Sequence, residues 1–266
     1  MRRKLPGENI LYFGDTARVP YGPKSPATVT LFVRQIIQFL EPYDPKHVVM
    51  ACNTASAVAM PALQCEFPHL TISGVVEPGA AAAVEASAGN SSPLIGIMGT
   101  EATIRSRAYE NAILRRRADA RIIARATPLL VPIIEEGRSP DDPLVRLALD
   151  QYLRPFGERC VDVLVLGCTH YPILRELIGQ MLPNVAVIDS ADKCAEDVQR
   201  RLRAARRLRD GANQPGSLHC FVTDDSPRFA HLAARFLGMN VESPTWVSLD
   251  ELHGLGGVEA ALRPAV

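Results

Sequence analysis

The 266-residue sequence has no excess of charge of either sign and no long apolar run. Lys and Arg together number 29, and Asp and Glu also number 29, so the formal net charge is zero. This balance disfavours a nucleic-acid-binding protein, for which a basic excess is typical. No apolar stretch approaches the roughly 18 residues of a membrane span, and none follows the basic start at residues 2–4. We therefore expect no membrane segment and no signal peptide, and we expect a cytoplasmic protein.

Cysteine motifs that hold metals or form redox pairs are also absent. None of the six cysteines stands in Cys-x-x-Cys spacing, which excludes a zinc ribbon and a thioredoxin-type site. In a reducing cytoplasm we expect free thiols. The sequence contains no Walker loop, no dinucleotide fingerprint and no closely spaced pair of metal-binding histidines. We therefore expect neither a cofactor nor a metal, and the question is which thiols take part in chemistry.

Short continuous apolar runs alternate along the chain with amphipathic stretches. The runs predict strands over residues 10–13, 48–51, 72–76, 94–98, 120–124, 161–166, 185–188 and 218–222. Runs of this kind suit strands that are buried on both faces of a parallel sheet. The amphipathic stretches predict helices over residues 27–40, 102–117, 142–159, 173–182, 191–209 and 227–237. This alternation indicates an α/β fold with mainly parallel sheets covered by helices, in which ligands bind beyond the carboxyl ends of the strands.

One pattern occurs twice, in residues 48–54 and residues 164–170. Each copy is an apolar strand, a small residue, a cysteine and two polar residues, and a predicted helix follows. The cysteines are Cys52 and Cys168, and their separation suits one lobe per cysteine. We therefore predict two pseudo-symmetric lobes with the site in the cleft between them. The first lobe comprises residues 1–92 and 192–266 and carries Cys52, and the second comprises residues 93–191 and carries Cys168.

A cysteine between a strand end and a helix start meets unpaired backbone N–H groups and the positive end of the helix dipole. Both favour a thiolate over a thiol, whose unperturbed pKa is about 8.5. If Cys52 and Cys168 flank one ligand, one thiolate can remove a proton from a stereocentre while the other thiol protonates the opposite face. His170 can assist proton transfer at Cys168. Donors for a carboxylate follow the cysteines: Asn53, Thr54 and Thr169.

Two alternatives need no proton transfer. Both cysteines can be buried core residues, which is the usual position of free cysteine. The matched settings and the polar neighbours favour chemistry over this alternative. A zinc site formed by Cys52, Cys168 and His170 is the other alternative, and the spacing favours it least.

Longer motifs run along nearly the whole chain. They are YFGDTARVPYG at residues 12–22, ACNTAS at 51–56, GVVEPG at 74–79, GTEATI at 99–104, PLLVP at 128–132, EEG at 135–137 and LGCTHYP at 166–172. In order and spacing they resemble glutamate racemases, the cofactor-independent enzymes that supply D-glutamate for the bacterial cell wall. The first and last motifs are the most specific.

The resemblance implies a role for each matching position. Cys52 and Cys168 would be the two acid/base residues, and His170 would assist Cys168. The substrate contacts would be Tyr21, Gly22, Asn53, Thr54, Thr100, Thr103, Thr169 and His170. Glu135 or Glu136 would also line the site. The family further implies glutamate as the substrate, two α/β lobes and a homodimer.

One departure from the family concerns the start of the chain. The family begins with a strand ending in Asp-Ser-Gly and a following helix, and no residue here corresponds to them. In the family the aspartate supports the first cysteine and the serine binds substrate, so if the chain as given is impaired we expect the half-reaction at Cys52 to fail first. We favour a misplaced start codon over a real truncation. A racemase for another acid and an inactive binding or regulatory protein remain as alternatives.

Overall fold

The computed structural model describes residues 1–209, 215–224, 229, 233–234 and 244–255. In this part of the chain every strand pairing is parallel, and helices flank the sheets, which confirms the predicted α/β class. The predicted helix over residues 227–237 lies largely outside the described residues. Every helix that is described is too short or too polar to span a bilayer.

All eight predicted strands form. The strands are β1 Ile10–Gly14, β2 Val48–Met50, β3 Ile72–Gly74, β4 Leu94–Gly99, β5 Arg121–Ala126, β6 Val163–Gly167, β7 Ala186–Asp189, β8 Leu218–Val222 and β9 Thr245–Trp246. The sequence did not predict β9, because two exposed residues form no apolar run.

Helices connect most of these strands. The helices are α1 Pro26–Leu40, α2 Asn53–Val58, α3 Met60–Glu66, α4 Val76–Ala86, α5 Glu101–Arg105, α6 Ala108–Arg116, α7 Leu130–Glu135, α8 Pro143–Glu158, α9 Arg175–Met181, α10 Ser190–Ala204 and α11 Leu249–Leu255. The single helix predicted over residues 102–117 is wrong. It breaks into α5 and α6 because Arg107 has a left-handed backbone, with φ of 55°, and the Ser106 hydroxyl competes for the backbone groups of Thr103 and Ala108.

One four-stranded sheet has the order β5–β4–β6–β7. The side chains of β6, one of its two central strands, point alternately to the two faces of the sheet. Leu164 and Leu166 pack with residues of α7, α8 and α9. Val163 and Val165 pack on the other face with residues of α4 and α6. All four side chains are buried, so β6 is held rigidly and fixes the position of Cys168, the residue that follows it.

The remaining strands form two further sheets among the described residues, β1–β8–β9 and β2–β3. Helix α1 packs on both of them. Its Phe39 ring lies 5.3 Å from Phe13 of β1 and 5.1 Å from Phe221 of β8. Its Val33 and Ile37 pack with the residues around β2. The division of the chain into lobes of residues 1–92 with 192–266 and residues 93–191 stays a prediction.

Candidate active site

Cys52 stands two residues after the end of the short strand β2 and is the N-cap residue of α2. The first N–H groups of a helix have no partner within the helix, so they are available to the sulfur. Burial raises the pKa of the Cys52 thiol, and hydrogen bonds from the backbone of Ala55 and Thr54 partly offset that rise. The helix start therefore stabilises the thiolate, as the sequence predicted, but it does not outweigh burial.

Cys168 occupies the matching position after β6 and is 5% exposed. Burial raises the pKa of its thiol to about 12, against a stabilising hydrogen bond from the backbone N–H of His170. The charge of Cys52 raises the same pKa further, so the two sulfurs lie within electrostatic reach of each other. At both cysteines desolvation raises the pKa by more than the backbone hydrogen bonds lower it.

His170 connects Cys168 to a carboxylate. Its Nδ1 atom lies 3.7 Å from Cys168 Sγ, and its Nε2 atom lies 3.1 Å from Glu135 Oε1. Glu135 is the last residue of α7, and the adjacent Glu136 instead pairs with Arg138 at 2.9 Å. The structure therefore brings one of the two candidate glutamates to the cysteine. Neutral imidazole can accept a proton from the thiol while the carboxylate stabilises the resulting imidazolium.

Three buried threonines form a hydroxyl cluster that includes Thr54, a hydrogen-bond donor to Cys52. Thr54 Oγ1 lies 2.9 Å from Thr100 Oγ1 and 3.4 Å from Thr103 Oγ1, and Thr100 and Thr103 are 3.0 Å apart. Thr100 is the N-cap residue of α5, so backbone N–H groups point toward the same place. Hydroxyls and a helix start together suit a carboxylate oxygen. Thr169, by contrast, is exposed.

The loop that carries Tyr21 and Gly22 closes against α5. The carbonyl of Gly22 accepts a hydrogen bond from Ala102 N–H at 3.2 Å. A Cβ atom at Gly22 would lie 2.9 Å from Thr100 Cβ, so only glycine allows this approach. Tyr21 donates a short hydrogen bond to the Asp15 carboxylate, which fixes the tyrosine end of the loop.

Asp15 in turn forms a buried ion pair that the sequence reasoning missed. Arg18 Nε lies 2.8 Å from both carboxylate oxygens of Asp15, and its guanidinium lies 4.1 Å above the Phe32 ring. Both charged residues stand in the 12–22 motif, so their position in the motif could have marked them as candidates. The ion pair itself could not be predicted, because the sequence does not reveal whether charged residues in a motif are buried.

Asn53 has one side-chain atom with a partner and one without. Its Oδ1 atom accepts a hydrogen bond of 2.6 Å from the Tyr109 hydroxyl. Its Nδ2 atom is buried and has no hydrogen-bond partner among the described residues. No sequence signal pointed to Tyr109, which lies on α6.

Within the part of the chain that the structure describes, no group of three or more His, Cys, Asp or Glu side chains could hold a metal ion.

Comparison with known proteins shows which family this chain resembles. Residues 1–198 match the family described as Asp/Glu/Hydantoin racemase. Glutamate racemase of Geobacter metallireducens is 45% identical over 249 residues, which are 93% of this chain and 90% of that protein. Glutamate racemase of Neisseria gonorrhoeae is 42% identical over 94% of this chain and 90% of its own length.

Solved structures agree with these matches. Glutamate racemase from Francisella tularensis, in complex with D-glutamate, has a TM-score of 0.85 and 31% identity over 94% of this chain and 91% of that one. The Thermus thermophilus enzyme, in complex with beta-chloro-D-alanine, has a TM-score of 0.81 and 42% identity over 94% and 91% of the two chains. The chain therefore belongs to the Asp/Glu/Hydantoin racemase family.

Proposed function

We propose that this protein is a glutamate racemase that interconverts L- and D-glutamate by proton transfer between Cys52 and Cys168. The observation that carries the proposal is the matched position of the two thiols. Each follows a parallel strand, and each receives backbone hydrogen bonds from the helical turn after it. The charge of Cys52 also raises the pKa of Cys168. The relatives and the solved structure with D-glutamate support glutamate as the substrate.

The reaction is the same in both directions with the thiols exchanging roles. The thiolate of one cysteine takes the proton from Cα, so the C–H bond breaks and an S–H bond forms. The thiol of the other cysteine gives its proton to the opposite face of the carbanion, so a new C–H bond forms and that sulfur becomes a thiolate. The configuration at Cα inverts and no electrons leave the system. No cofactor is required for this sequence of steps.

Substrate binding is assigned to donors around the thiols. The threonine cluster and the start of α5 suit one carboxylate, and Asn53 adds an amide donor next to Cys52. Tyr21, Gly22, Thr169 and His170 complete the proposed contacts. Burial raises the pKa of both thiols, which disfavours the thiolate that each cysteine needs when it acts as the base. We propose that His170, with Glu135 behind it, accepts the proton of Cys168 when that residue acts as the base.

The direct test is circular dichroism of the purified chain with L-glutamate and, separately, with D-glutamate. We expect the signal of either enantiomer to decay toward the racemate. Cys52→Ser and Cys168→Ser should each abolish racemisation in both directions. The matched control is Cys65→Ser, because Cys65 is exposed and should leave the rate unchanged. A normal rate in either of the first two variants would overturn the two-base mechanism.

Further measurements separate the two alternative interpretations of the family match. Racemisation of a different acid, with glutamate inert, would identify another substrate. Binding of glutamate without exchange of its Cα proton in deuterated water would identify a binding protein. If glutamate is racemised, we further propose that the reaction occurs in the cytoplasm and supplies D-glutamate for peptidoglycan.

We also propose that the chain forms a homodimer. Leu144 and Leu147 lie one turn apart on α8 and are 42% and 67% exposed, so they form an apolar surface that a second copy can cover. Analytical ultracentrifugation should give twice the mass of the chain. Leu147→Lys should shift the protein to monomer, whereas Tyr43→Lys, at another exposed apolar position, should not.

A further inference from the structure

Tyr109 lies beneath both cysteine segments. It is 2% exposed and sits on α6. A Cβ atom at Gly79 would lie 3.1 Å from its Oη atom, and one at Gly167 would lie 3.3 Å from its ring. Glycine at both positions lets the ring fit between α4 and the end of β6. The ring is confined on two sides, so its hydroxyl has a fixed position.

The hydroxyl of Tyr109 is bonded to the residue that follows Cys52. Its Oη atom donates to Asn53 Oδ1 at 2.6 Å. Ser190, at the start of α10, also lies near this hydroxyl, since a Cβ atom at Gly79 would lie 3.0 Å from Ser190 Cβ and 3.1 Å from Tyr109 Oη. A tyrosine hydroxyl has one hydrogen to donate, and the amide oxygen of Asn53 is the acceptor that lies within hydrogen-bond distance. Burial raises the pKa of Tyr109, which keeps this hydrogen on the oxygen.

This arrangement fixes which way the Asn53 amide faces. The two ends of an asparagine amide are similar in size, and hydrogen bonds decide between the two orientations. With Oδ1 held by Tyr109, the NH2 group points away from it. Asn53 is 2% exposed and its Nδ2 atom has no hydrogen-bond partner within the described ranges. A buried donor without a partner is costly, which favours an incoming acceptor at this point.

We propose that Tyr109 is a positioning residue that holds the Asn53 amide with its NH2 group toward the cleft, where it donates to a carboxylate oxygen of the substrate. The inference rests on the proposed function for the identity of the substrate. Tyr109 itself does not touch the substrate. Because the carboxylate is common to both enantiomers, its effect should be the same for L- and D-glutamate.

The test is Tyr109→Phe, which keeps the ring and removes the hydroxyl. A hydrogen bond contributes about 0.5–1.5 kcal/mol, so we expect KM to rise by about 2- to 12-fold for both enantiomers with kcat nearly unchanged. The matched control is Tyr152→Phe. Tyr152 is also buried, and its hydroxyl accepts a hydrogen bond from Leu129 N–H. It packs on the opposite face of the four-stranded sheet from Tyr109. This control should leave KM unchanged.

A double-mutant cycle separates positioning from a structural effect. If Tyr109 acts through Asn53, then Tyr109→Phe in an Asn53→Ala background should change KM by less than about twofold. A KM effect that persists in that background, or an unchanged KM in the single variant, overturns the inference. If Tyr109→Phe does not fold, Gly79→Ala places a Cβ atom 3.1 Å from Tyr109 Oη and displaces the hydroxyl from Asn53. It should raise KM in the same direction by a smaller factor, and an unchanged KM would contradict the inference.

A readout that does not use glutamate separates this inference from the proposed function. The side-chain amide signal of Asn53 can be assigned in protein labelled with 15N-asparagine, because it is missing in Asn53→Ala. It should shift in Tyr109→Phe and stay in place in Tyr152→Phe. If it shifts but the parent chain racemises no glutamate, the proposed function fails and the positioning stands. If the parent racemises glutamate but neither KM nor the signal responds, the positioning fails.

Discussion

The imidazole of His170 lies between a thiol and a carboxylate, with its Nδ1 atom 3.7 Å from Cys168 Sγ and its Nε2 atom 3.1 Å from Glu135. A carboxylate at one nitrogen holds the ring in one tautomer, in which the other nitrogen carries a lone pair that can accept a proton. Burial raises the pKa of Cys168, so this thiol needs a nearby base to accept its proton before it can act on the substrate. The proposed half-reaction at Cys168 therefore depends on Glu135, which does not touch the sulfur.

Glu135→Gln should lower kcat by at least about tenfold, because a neutral amide cannot stabilise the imidazolium. KM should change little, since Glu135 acts through His170. The measurement is steady-state racemisation in both directions by circular dichroism. Glu136→Gln is the control, because the adjacent carboxylate pairs with Arg138 instead. An equal loss in both variants would show that local charge, and not the contact with His170, matters.

Most of the fold could be predicted from the sequence, whereas parts of the site could not. The apolar runs located β1 through β8, and the repeated pattern located Cys52 and Cys168 at strand ends. The pKa of Cys168 could not be predicted in the same way, because it depends on how deeply distant helices bury the sulfur. Glu135 and Glu136 are adjacent, and only the end of α7 decides which one faces His170. Tyr109 meets Asn53 through tertiary packing alone.

The stability of the protein should fall at alkaline pH partly because of Cys168. An unfolded thiol loses its proton at about pH 8.5, whereas burial raises the pKa of folded Cys168 to about 12. Between these values the folded state binds more protons than the unfolded state, so the free energy of unfolding decreases as pH rises. The contribution of this residue is at most about 1.4 kcal/mol per pH unit in that window.

Urea denaturation of the parent and of Cys168→Ser at several pH values between about 8 and 10 measures this effect. The parent should lose more stability than the variant over that range, since other buried groups titrate equally in both. Cys65→Ser, at an exposed position, should keep the slope of the parent. Parallel curves for the parent and Cys168→Ser would mean that the pKa of Cys168 is the same in the folded and unfolded states, which would contradict the prediction.

Arg18→Ala should destabilise the protein by about 3–5 kcal/mol, because it leaves the Asp15 carboxylate buried without its cation. Both side chains of this pair are 6% exposed. The comparison is Arg154→Ala, whose pair with Asp150 is 63% and 59% exposed and is expected to contribute at most about 1 kcal/mol. Urea denaturation at neutral pH gives both values. Similar losses in the two variants would show that water reaches the Asp15 pair.

Gly167→Ala should reduce stability and activity together, because this glycine stands one residue before Cys168 where two strands approach closely. A Cβ atom there would lie 2.8 Å from the carbonyl oxygen of Met98 on β4 and 3.3 Å from the buried Tyr109 ring, so little room is left for the strand to relax. We expect a loss of about 1–3 kcal/mol, as for other overpacked sites. The strand end should shift, which moves the Cys168 thiol and lowers kcat.

Gly179→Ala is the matched control for this prediction, since a Cβ atom at Gly179 on α9 would meet no atom within 4 Å. Alanine favours a helix interior over glycine by about 0.5–1 kcal/mol, so this variant should be as stable as the parent or slightly more stable. Its racemisation rate should be unchanged. Urea denaturation and circular dichroism measure the two effects on the same samples. If Gly167→Ala keeps the kcat of the parent, then the position of the Cys168 sulfur does not depend on the close contact between β4 and β6.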